Sequence, residues 1–257
     1  MENRVVKEYS GAEVSQEQHY DTVASEYSNQ TNDAVSQMYR MKFINEPLLE
    51  DLDLSGKKVL DAMCGSGQTT GYLLEQGAQV TGLDISGKQI ELLQQRYPDC
   101  DAQCASILST GLESNSFDCV VVVGGLHHLH PDVSKAVNEI YRVLKVGGHF
   151  CFVECHKGSF PNLIRRLWYK WDSFFLENEA AIDFSELELE FASKFKFIKK
   201  NYKGNVAYLL VGASWAFRIP MPLKSIYSPP LFVLESIVEK IQGKRSSCMV
   251  ICQWKKV

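Results

Sequence analysis

The 257-residue chain has no long apolar run and no excess of positive charge. A helix that spans a bilayer needs about 20 consecutive apolar residues, and the most apolar segment, Val206 to Phe217, is shorter. The formal net charge of −4 disfavours general nucleic-acid binding, because such binding uses a basic surface. The first residues lack the charged start and apolar stretch of a signal peptide. We therefore expect a cytoplasmic protein with no nucleic-acid partner.

The sequence also lacks C-x-x-C pairs, although it contains eight cysteines. Three pairs are each four residues apart: Cys100/Cys104, Cys151/Cys155 and Cys248/Cys252. Without a secretory signal, buried free thiols are the expected state of such cysteines. A zinc site built from Cys151, Cys155 and His156 remains the alternative, and our prediction is that the protein has no metal.

Apolar runs and helical periodicity alternate through the middle of the chain. Five short apolar runs predict strands at 57–62, 79–83, 100–106, 117–123 and 149–154. Helical stretches lie between them at 68–76, 87–96 and 133–144. The fourth run, Phe-Asp-Cys-Val-Val-Val-Val, is typical of a strand that is covered on both faces. Repeated strand–helix units with short links predict an α/β fold with a doubly wound, parallel sheet.

The two ends of the chain have different patterns. Residues 1–18 are polar, and we expect them to be loosely held. From His19 to Leu52, apolar residues recur every three or four positions, which predicts helices. Beyond residue 180, one helix and two strands are predicted, at 185–193, 195–202 and 248–254. An apolar, proline-rich insertion at 207–241 separates the last two strands.

A glycine-containing loop, Asp61-Ala62-Met63-Cys64-Gly65-Ser66-Gly67, follows the first strand and opens a helix. Glycines let a backbone approach a ligand closely, and ligands of open α/β sheets bind outside the carboxyl ends of the strands. The next strand ends at Asp84, where an acid can accept hydrogen bonds from both hydroxyls of a ribose. By themselves, these residues predict an adenosine-containing cofactor.

Four ordered blocks resemble the class I S-adenosylmethionine-dependent methyltransferases. They are V-L-D-A-M-C-G-S-G from Val59, G-L-D-I-S from Gly82, F-D-C-V-V-V-V from Phe117 and E-I-Y-R-V-L-K-V-G-G from Glu139. The similarity covers about residues 55–155 and is closest to the small-molecule branch that includes ubiquinone and menaquinone methyltransferases. It implies a Rossmann-like, mostly parallel seven-stranded sheet with an antiparallel last strand, a helical lid, and S-adenosyl-L-methionine as cofactor.

The resemblance also implies one methyltransferase domain over residues 1–257. Its parts are a helical cap at 1–52, a cofactor-binding core at 53–155, a variable lid and acceptor region at 156–245, and a last strand at 246–257. We expect a small-molecule acceptor to bind in the variable parts. Contact with a membrane surface and homodimer formation remain open.

Carried over by position, the family pattern implies that Asp61 lies near the methionine ammonium of the cofactor. The backbone that follows would curl around the methionine part: Ala62, Met63, Cys64 and Gly65. Gly124, after the fourth strand, would border the same part. Asp84 would hold the ribose hydroxyls and Ile85 would pack on adenine.

Two further elements complete the implied cofactor site. Ser106 and Ile107 stand where the family often has Asp-Ala, beside the adenine amine. The stretch from His19 to Tyr27 fits the family's Tyr-Asp-x-x-Ala-x-x-Tyr pattern, which implies that two rings close over the cofactor, Tyr20 and Tyr27.

Two residues depart from the family pattern. Met63 replaces the first glycine of the loop, which is tolerable if its φ is negative. Ser106 replaces an acid, so adenine recognition would depend on backbone groups or on Ser106 Oγ. A non-catalytic relative that binds the cofactor is therefore one alternative, and a methyltransferase acting on a lipid-linked or protein acceptor is another.

A dehydrogenase is the rival enzyme class. Gly65, Gly67 and Gly71 form G-x-G-x-x-x-G, and Tyr141 precedes Lys145 by four residues, as in short-chain dehydrogenases. However, Tyr141 also fits the apolar face of the helix at 133–144, so we expect it to pack in the core.

Methyl transfer from a sulfonium needs alignment and desolvation, and some acceptors also need a base. His127 and His128 follow the fourth strand, and histidine suits proton transfer at neutral pH. We therefore predict them as the catalytic candidates. For Glu154, at the end of the fifth strand, we expect a capping or pairing role.

The acceptor pocket is expected to come from the variable regions. Arginines and aromatics are interleaved between Phe160 and Leu176, which is typical of a lid helix, of a membrane-surface helix or of a grip on an anionic, partly apolar substrate. The 207–241 insertion could form an apolar acceptor chamber or a dimer contact. We favour an apolar or aromatic small molecule as the acceptor.

Overall fold

The structure is a computed structural model, and it describes residues 9–169, 179–214 and 219–257. It begins with helix α1 (Gly11–Thr31), whose first turn is closed by a capping box. Ser10 Oγ accepts a hydrogen bond from the Glu13 amide, and the Glu13 carboxylate accepts one from the Ser10 amide. The prediction of a loosely held start is therefore wrong for residues 11–18.

The rest of the N-terminal region is helical, as predicted. Helix α2 (Ala34–Arg40) starts at Asp33, whose carboxylate caps it. A π-helical turn (Met41–Asn45) leads into the short helix α3 (Glu46–Leu49). Pro47 lies in the first turn of α3, where its missing N–H has no cost.

Seven strands form one sheet in the order β3-β2-β1-β4-β5-β7-β6. Their bounds are β1 Lys58–Ala62, β2 Gln79–Asp84, β3 Asp101–Cys104, β4 Phe117–Val123, β5 Leu144–Glu154, β6 Phe195–Lys203 and β7 Met249–Lys256. The first five strands pair in parallel, whereas β7 runs antiparallel to both β5 and β6. The predicted Rossmann-like α/β fold with an antiparallel last strand is confirmed.

The sheet is covered on both faces. Four helices follow the strands: α4 (Thr70–Glu75), α5 (Gly87–Arg96), α6 (Val133–Val143) and α8 (Phe184–Phe191). Adjacent residues of β1 contribute to two separate apolar clusters, Val59 to one and Leu60 to the other. Tyr141 packs against the cluster that contains Leu60, with its ring 5.4 Å from that of Phe195. This is the core position that the helical pattern predicted.

The order of the strands reverses between β1 and β4, because β2 and β3 lie on one side of β1 while β4 and β5 lie on the other. In an open α/β sheet, such a reversal leaves a crevice at the carboxyl ends of the strands. The predicted glycine-containing loop and the two candidate histidines follow β1 and β4, so they lie at that crevice.

The variable region is helical where it is described. It contains α7 (Phe160–Tyr169), a π-helical turn (Tyr208–Gly212) and α9 (Met221–Val238). The Pro229-Pro230 pair concealed α9 in the sequence, since prolines disrupt helix interiors. Two buried polar residues hold α9 in place. Lys224 Nζ donates to Asp33 Oδ2, and Glu235 accepts from the amides of Asn205 and Ala207.

No helix within the described ranges combines the length and apolar character needed to cross a bilayer. All eight cysteines fall within these ranges as free thiols, and seven of them are buried. Cys151 lies beside Cys119, and His156 Nε2 is 2.8 Å from Ser247 Oγ. Nothing therefore supports the zinc alternative built on Cys151, Cys155 and His156.

Candidate functional site

A cavity of about 520 Å³ opens at the carboxyl ends of β1, β2 and β4. Most of the residues singled out in the sequence line it: Tyr20, Tyr27, Asp61, Met63, Cys64, Gly65, Asp84, Ile85, Ser106, Ile107, Gly124, His127 and His128. Ala62 does not, because its side chain is fully buried in the core beside Leu60. Cofactor contact at Ala62 is thus limited to its backbone.

The loop after β1 is tied to the end of β2 by two hydrogen bonds. The Cys64 amide donates to the Leu83 carbonyl at 3.0 Å, and the Gly65 amide donates to Asp84 Oδ2 at 2.9 Å. Gly65 and Gly67 both have positive φ, a conformation that glycine adopts without strain. The loop therefore curls toward the cavity with its backbone exposed to a ligand.

Met63 has a φ of 57°, so the negative φ that would make this replacement of glycine free of strain is not present. A non-glycine residue in this region carries about 1 kcal/mol or more of strain. The side chain offsets this cost by packing, because Met63 lies over Gly125 and contacts the core. A methyl group added at Gly125 would come within 2.6 Å of Met63 Sδ. The family's glycine is thus replaced by a residue that fills space at the cavity wall.

Asp84 is held in place by backbone amides on both of its oxygens. Its Oδ1 accepts from the Ser86 amide at 3.0 Å, and its Oδ2 accepts from the Gly65 amide at 2.9 Å. Burial raises the pKa of Asp84, although these amides counteract the effect. Each oxygen has a free lone pair left, so the carboxylate can accept further hydrogen bonds from a ligand.

Asp61 and Arg40 bring opposite charges to another part of the cavity. Asp61 Oδ2 accepts from Thr70 Oγ1 at 2.7 Å, and Arg40 Nη1 donates to Thr69 Oγ1 at 3.0 Å. Burial raises the pKa of Asp61 to about 6, and the hydrogen bond from Thr70 and the charge of Arg40 oppose this shift. The pair offers one anionic and one cationic group to a ligand.

Ser106 meets an acid from α1. Its hydroxyl accepts from the Leu108 amide at 3.1 Å and hydrogen-bonds to Glu13, which also lines the cavity. Burial raises the pKa of Glu13, but the hydrogen bonds from Ser106 and Ser10 outweigh it and bring the pKa below its ordinary value. Ser106 Oγ is therefore already engaged, and a carboxylate stands beside it.

Gln89 lines the same cavity and is 1% exposed. Within the described part of the chain, neither its Oε1 nor its Nε2 has a hydrogen-bond partner. Buried polar groups nearly always have partners. An amide without a protein partner at a cavity wall is available to hydrogen-bond a ligand.

His127 is held by the buried carboxylate of Glu154. Glu154 Oε1 accepts from the amides of Gly125 and Leu126 at 2.8 and 2.6 Å, and Oε2 lies 2.8 Å from His127 Nδ1. Burial raises the pKa of Glu154 to about 7. Burial and the neighbouring His128 hold the pKa of His127 well below its ordinary value. The predicted capping and pairing role of Glu154 is confirmed.

His128 has different partners. Its Nε2 lies 3.1 Å from the Tyr20 hydroxyl, and its Nδ1 lies 3.2 Å from Glu179 Oε1. All three residues line the cavity, and the Tyr20 ring also packs edge-on against Tyr27. Among the described residues, His127, His128 and Glu179 could together hold a metal ion, as could His127, Glu154 and Cys155. The histidine loop thus places one imidazole in a structural pair and the other between a phenol and a carboxylate.

The polar cavity residues that the sequence analysis missed include Glu13, Arg40, Gln89 and Glu179. Arg40 and Gln89 lie on helices whose polar faces carry no motif, so their position depends on how these helices pack against the sheet. For Glu13 a signal existed, since Ser10-x-x-Glu13 is a capping-box pattern that marks the start of a helix.

Residues 60–152 match the sequence model of the family described as "Methyltransferase domain". The chain carries a methyltransferase domain. The domain runs from β1 to β5, so it includes Asp61, Asp84 and both candidate histidines. The resemblance drawn from the four sequence blocks is confirmed over this span.

Curated relatives agree with this assignment. A demethylmenaquinone methyltransferase of Lactiplantibacillus plantarum is 31% identical over 158 residues, which cover 58% of this chain and 65% of the relative. A ubiquinone biosynthesis O-methyltransferase of Pseudomonas entomophila is 33% identical over 108 residues, covering 40% and 46%. The chain therefore spans less than two thirds of the length of these relatives, and the similarity is centred on the methyltransferase domain.

Solved structures show the same fold over nearly the whole chain. The magnesium protoporphyrin IX methyltransferase of Synechocystis, solved with bound S-adenosylhomocysteine, matches with a TM-score of 0.65 and 13% identity, covering 96% of this chain and all of that chain. A 4+2 cyclase matches with a TM-score of 0.62 and 18% identity, covering 96% and 97%. Proteins of this fold thus carry out different reactions, and the likeness establishes the fold alone.

Proposed function

We propose that the protein transfers a methyl group from S-adenosylmethionine to a small, apolar or aromatic acceptor. The observation that carries the proposal is the bridge between Asp84 Oδ2 and the Gly65 amide, which joins the end of β2 to the loop after β1. This bridge sets a buried acid beside a backbone that curls toward the cavity. The unpaired amide of Gln89 in the same wall supports a bound ligand.

The adenosine half of the cofactor fits the β2 and β3 side of the cavity. Asp84 would accept hydrogen bonds from the ribose hydroxyls, and Ile85 and Ile107 provide apolar surface for the adenine ring. Glu13 stands beside Ser106, where the family often has an acid, so its carboxylate would accept from the adenine amine. We infer that α1 supplies the acid that β3 lacks.

The methionine half fits the β1 side. Its ammonium and carboxylate need groups of opposite charge, and Asp61 and Arg40 supply one each. Cys64 and Gly124 border this part, and Tyr27 lines the cavity from α1. When bound, S-adenosylmethionine supplies an activated methyl group on a sulfonium.

His128 is the better candidate for a base at the acceptor. His127 is committed to Glu154, whereas His128 lies between Tyr20 and Glu179 at the cavity wall. Glu179 next to Nδ1 orients the ring and favours a proton on that nitrogen, so that Nε2 would accept a proton from an acceptor that takes the place of the Tyr20 hydroxyl. We propose that His128 contacts the acceptor and that His127 holds the loop.

The acceptor class rests on the composition of the remaining wall. Ile164, Tyr208, Leu209 and Met249 are mostly apolar, and Arg165 adds one cation. Relatives that share the methyltransferase domain are named for quinone substrates. A ring system with an ionisable hydroxyl would suit both the apolar wall and a histidine base. The alternatives are a cofactor-binding protein without transferase activity and an enzyme for lipid-linked or protein acceptors.

Two measurements test the proposal. Calorimetric titration with S-adenosylmethionine and S-adenosylhomocysteine should give micromolar binding, and the absence of binding would contradict the proposed cofactor. With methyl-labelled cofactor, a panel of quinols, phenols and fatty acids should contain a labelled product. His128→Ala should then lower turnover at least tenfold with unchanged cofactor affinity, while His149→Ala, in the middle of β5 and outside the cavity lining, should not. Equal turnover in both variants would remove His128 from the mechanism.

A further inference from the structure

Helix α7 carries its apolar side chains on the outside. Phe160, Leu163, Ile164 and Leu167 are between 51% and 66% exposed. Their spacing of three and four residues places them in one stripe along the helix. Among the side chains of α7 that the structure describes, between residues 160 and 167, the buried one is polar, since Asn162 accepts a hydrogen bond from Arg165. An ordinary surface helix buries its apolar stripe instead.

Helix α9 is similar in part: Phe232 packs inward, but two charged residues are buried as well. Lys224 and Glu235 are fully buried and bonded to neighbouring elements, whereas Ile226, Val233 and Ile237 are mostly exposed. Because isoleucines are exposed while a lysine and a glutamate are buried, the exposed apolar surface is expected to take part in an interaction. Large exposed apolar surfaces mark sites of interaction with proteins or membranes.

Basic residues flank the stripe of α7. The Phe160 amide donates to the Arg245 carbonyl at 2.8 Å, which places the loop after α9 against the start of α7. Lys244 in that loop lies beside Gly158, and Arg166 belongs to α7 itself. Lys244, Arg245 and Arg166 are exposed, and no ion pair within the described residues involves them. This local positive charge contrasts with the net charge of −4.

The stripe continues into the cavity. Phe160 and Ile164 are exposed on α7 and also line the cavity wall. Arg165 follows them inward and lines the cavity as well. An apolar molecule that leaves a lipid layer at α7 would therefore meet Phe160 and Ile164 at the wall of the cavity that also contains His128.

We propose that this surface is a docking face for anionic membranes. The docking face consists of Phe160, Leu163, Ile164 and Leu167 with the basic residues Arg166, Lys244 and Arg245. Apolar side chains would enter the headgroup region, and the basic residues would contact anionic lipids, as in interfacial helices. Delivery of the acceptor through this face rests on the proposed function, whereas the docking itself does not.

A second copy of the chain fits this face less well. A symmetric dimer would bring the same patch of both copies together. Arg166, Lys244 and Arg245 would then face their own counterparts, and like charges would repel each other. A lipid surface of negative charge complements both the apolar stripe and the basic flank.

Flotation with vesicles tests the docking face. The full-length protein should float with vesicles of phosphatidylcholine that contain roughly one third phosphatidylglycerol, and it should not float with phosphatidylcholine alone. Leu163→Glu/Leu167→Glu changes two residues outside the cavity lining and should abolish flotation. Leu189→Glu makes a matched change at a side chain on α8 that is 81% exposed, and it should leave flotation unchanged.

The charge contribution has its own variant. Lys244→Glu/Arg245→Glu should weaken partitioning into the anionic vesicles by at least about tenfold, whereas Lys196→Glu on β6 should not. Calorimetry with S-adenosylhomocysteine on each variant reports cofactor binding independently, so failure of the docking face and failure of the proposed function are distinguishable. Absence of flotation in the wild type would overturn the proposal. So would a dimer in sedimentation analysis that Leu163→Glu/Leu167→Glu dissociates, since the face would then bind a second copy.

Discussion

We predict that Gln89→Met raises the stability of the ligand-free protein and lowers its affinity for the cofactor. Gln89 lies in the first turn of α5, 1% exposed, and both polar atoms of its amide are unpaired within the described residues. Methionine has a similar length and shape but no strong donor or acceptor. Replacing the amide thus removes a buried, unpaired polar group from the ligand-free protein, and it also removes the partner that a ligand would use.

The size of both effects follows from hydrogen-bond energetics. A buried polar group without partners destabilises a protein by about 1 to 3 kcal/mol. We therefore expect Gln89→Met to raise the free energy of unfolding of the ligand-free protein by about 1 kcal/mol, at the low end of that range. One net hydrogen bond to the cofactor is worth about 1 kcal/mol, so the affinity for S-adenosylhomocysteine should fall about fivefold.

Urea unfolding without ligand and calorimetric titration measure the two effects on the same preparation. Gln95→Met is the matched control, because Gln95 lies on the same helix and is exposed. It should change neither quantity. A Gln89→Met protein that is less stable than the wild type and binds the cofactor equally well would refute the reasoning. Gln89 would then be a packing residue and not a ligand contact.

Three further predictions concern the same cavity and its lid. Glu13→Gln should weaken S-adenosylhomocysteine binding about fivefold and reduce the preference for it over the inosine analogue, which lacks the amine. Glu26→Gln, on the exposed side of α1, should change neither quantity. The pKa of Asp61 is raised to about 6, so its carboxylate becomes protonated as the pH falls through that value. Cofactor affinity should therefore drop below pH 6, and this pH dependence should be absent in Asp61→Asn. The same shift should make stability fall as pH rises from 3.8 to 6, since folding favours the neutral carboxyl. Lys224→Met should lower the free energy of unfolding by about 3 kcal/mol in urea titrations by leaving the charge of Asp33 without its partner.

The parallel core was predictable because its strands are buried on both faces. Such strands produce uninterrupted apolar runs, and the predicted bounds of β4 and α5 equal the observed ones. Helix α9 was not predictable for the opposite reason. Pro229 and Pro230 lie inside it, and its inward side contains Lys224 and Glu235, so the residues that hold it in place are those that sequence patterns assign to solvent.

The residues of the candidate site show the same difference between those that local sequence positions and those that tertiary packing positions. Residues that one strand or one loop positions, such as Asp84 and Gly65, could be predicted from their place after β1 and β2. The positive φ of Met63 was not predictable, because the packing against Gly125 that offsets its strain is tertiary. Glu13 and Glu179 come from segments far apart in the sequence, and only the folded chain brings them to Ser106 and His128.

The reaction and the acceptor depend on different parts of the chain. The methyltransferase domain ends with β5, whereas Ile164 and Tyr208 in the cavity wall belong to the variable region that follows. A solved 4+2 cyclase shares the fold, so the core alone does not determine the chemistry. The features that determine the acceptor are therefore expected outside this core, in helices that expose apolar residues and bury polar ones. Helices α7 and α9 both expose several apolar side chains, α9 buries Lys224 and Glu235, and α7 also borders the cavity. If the proposed function holds, variation in this region would change which acceptor reaches His128 while leaving the proposed cofactor contacts of Asp84 and Gly65 intact.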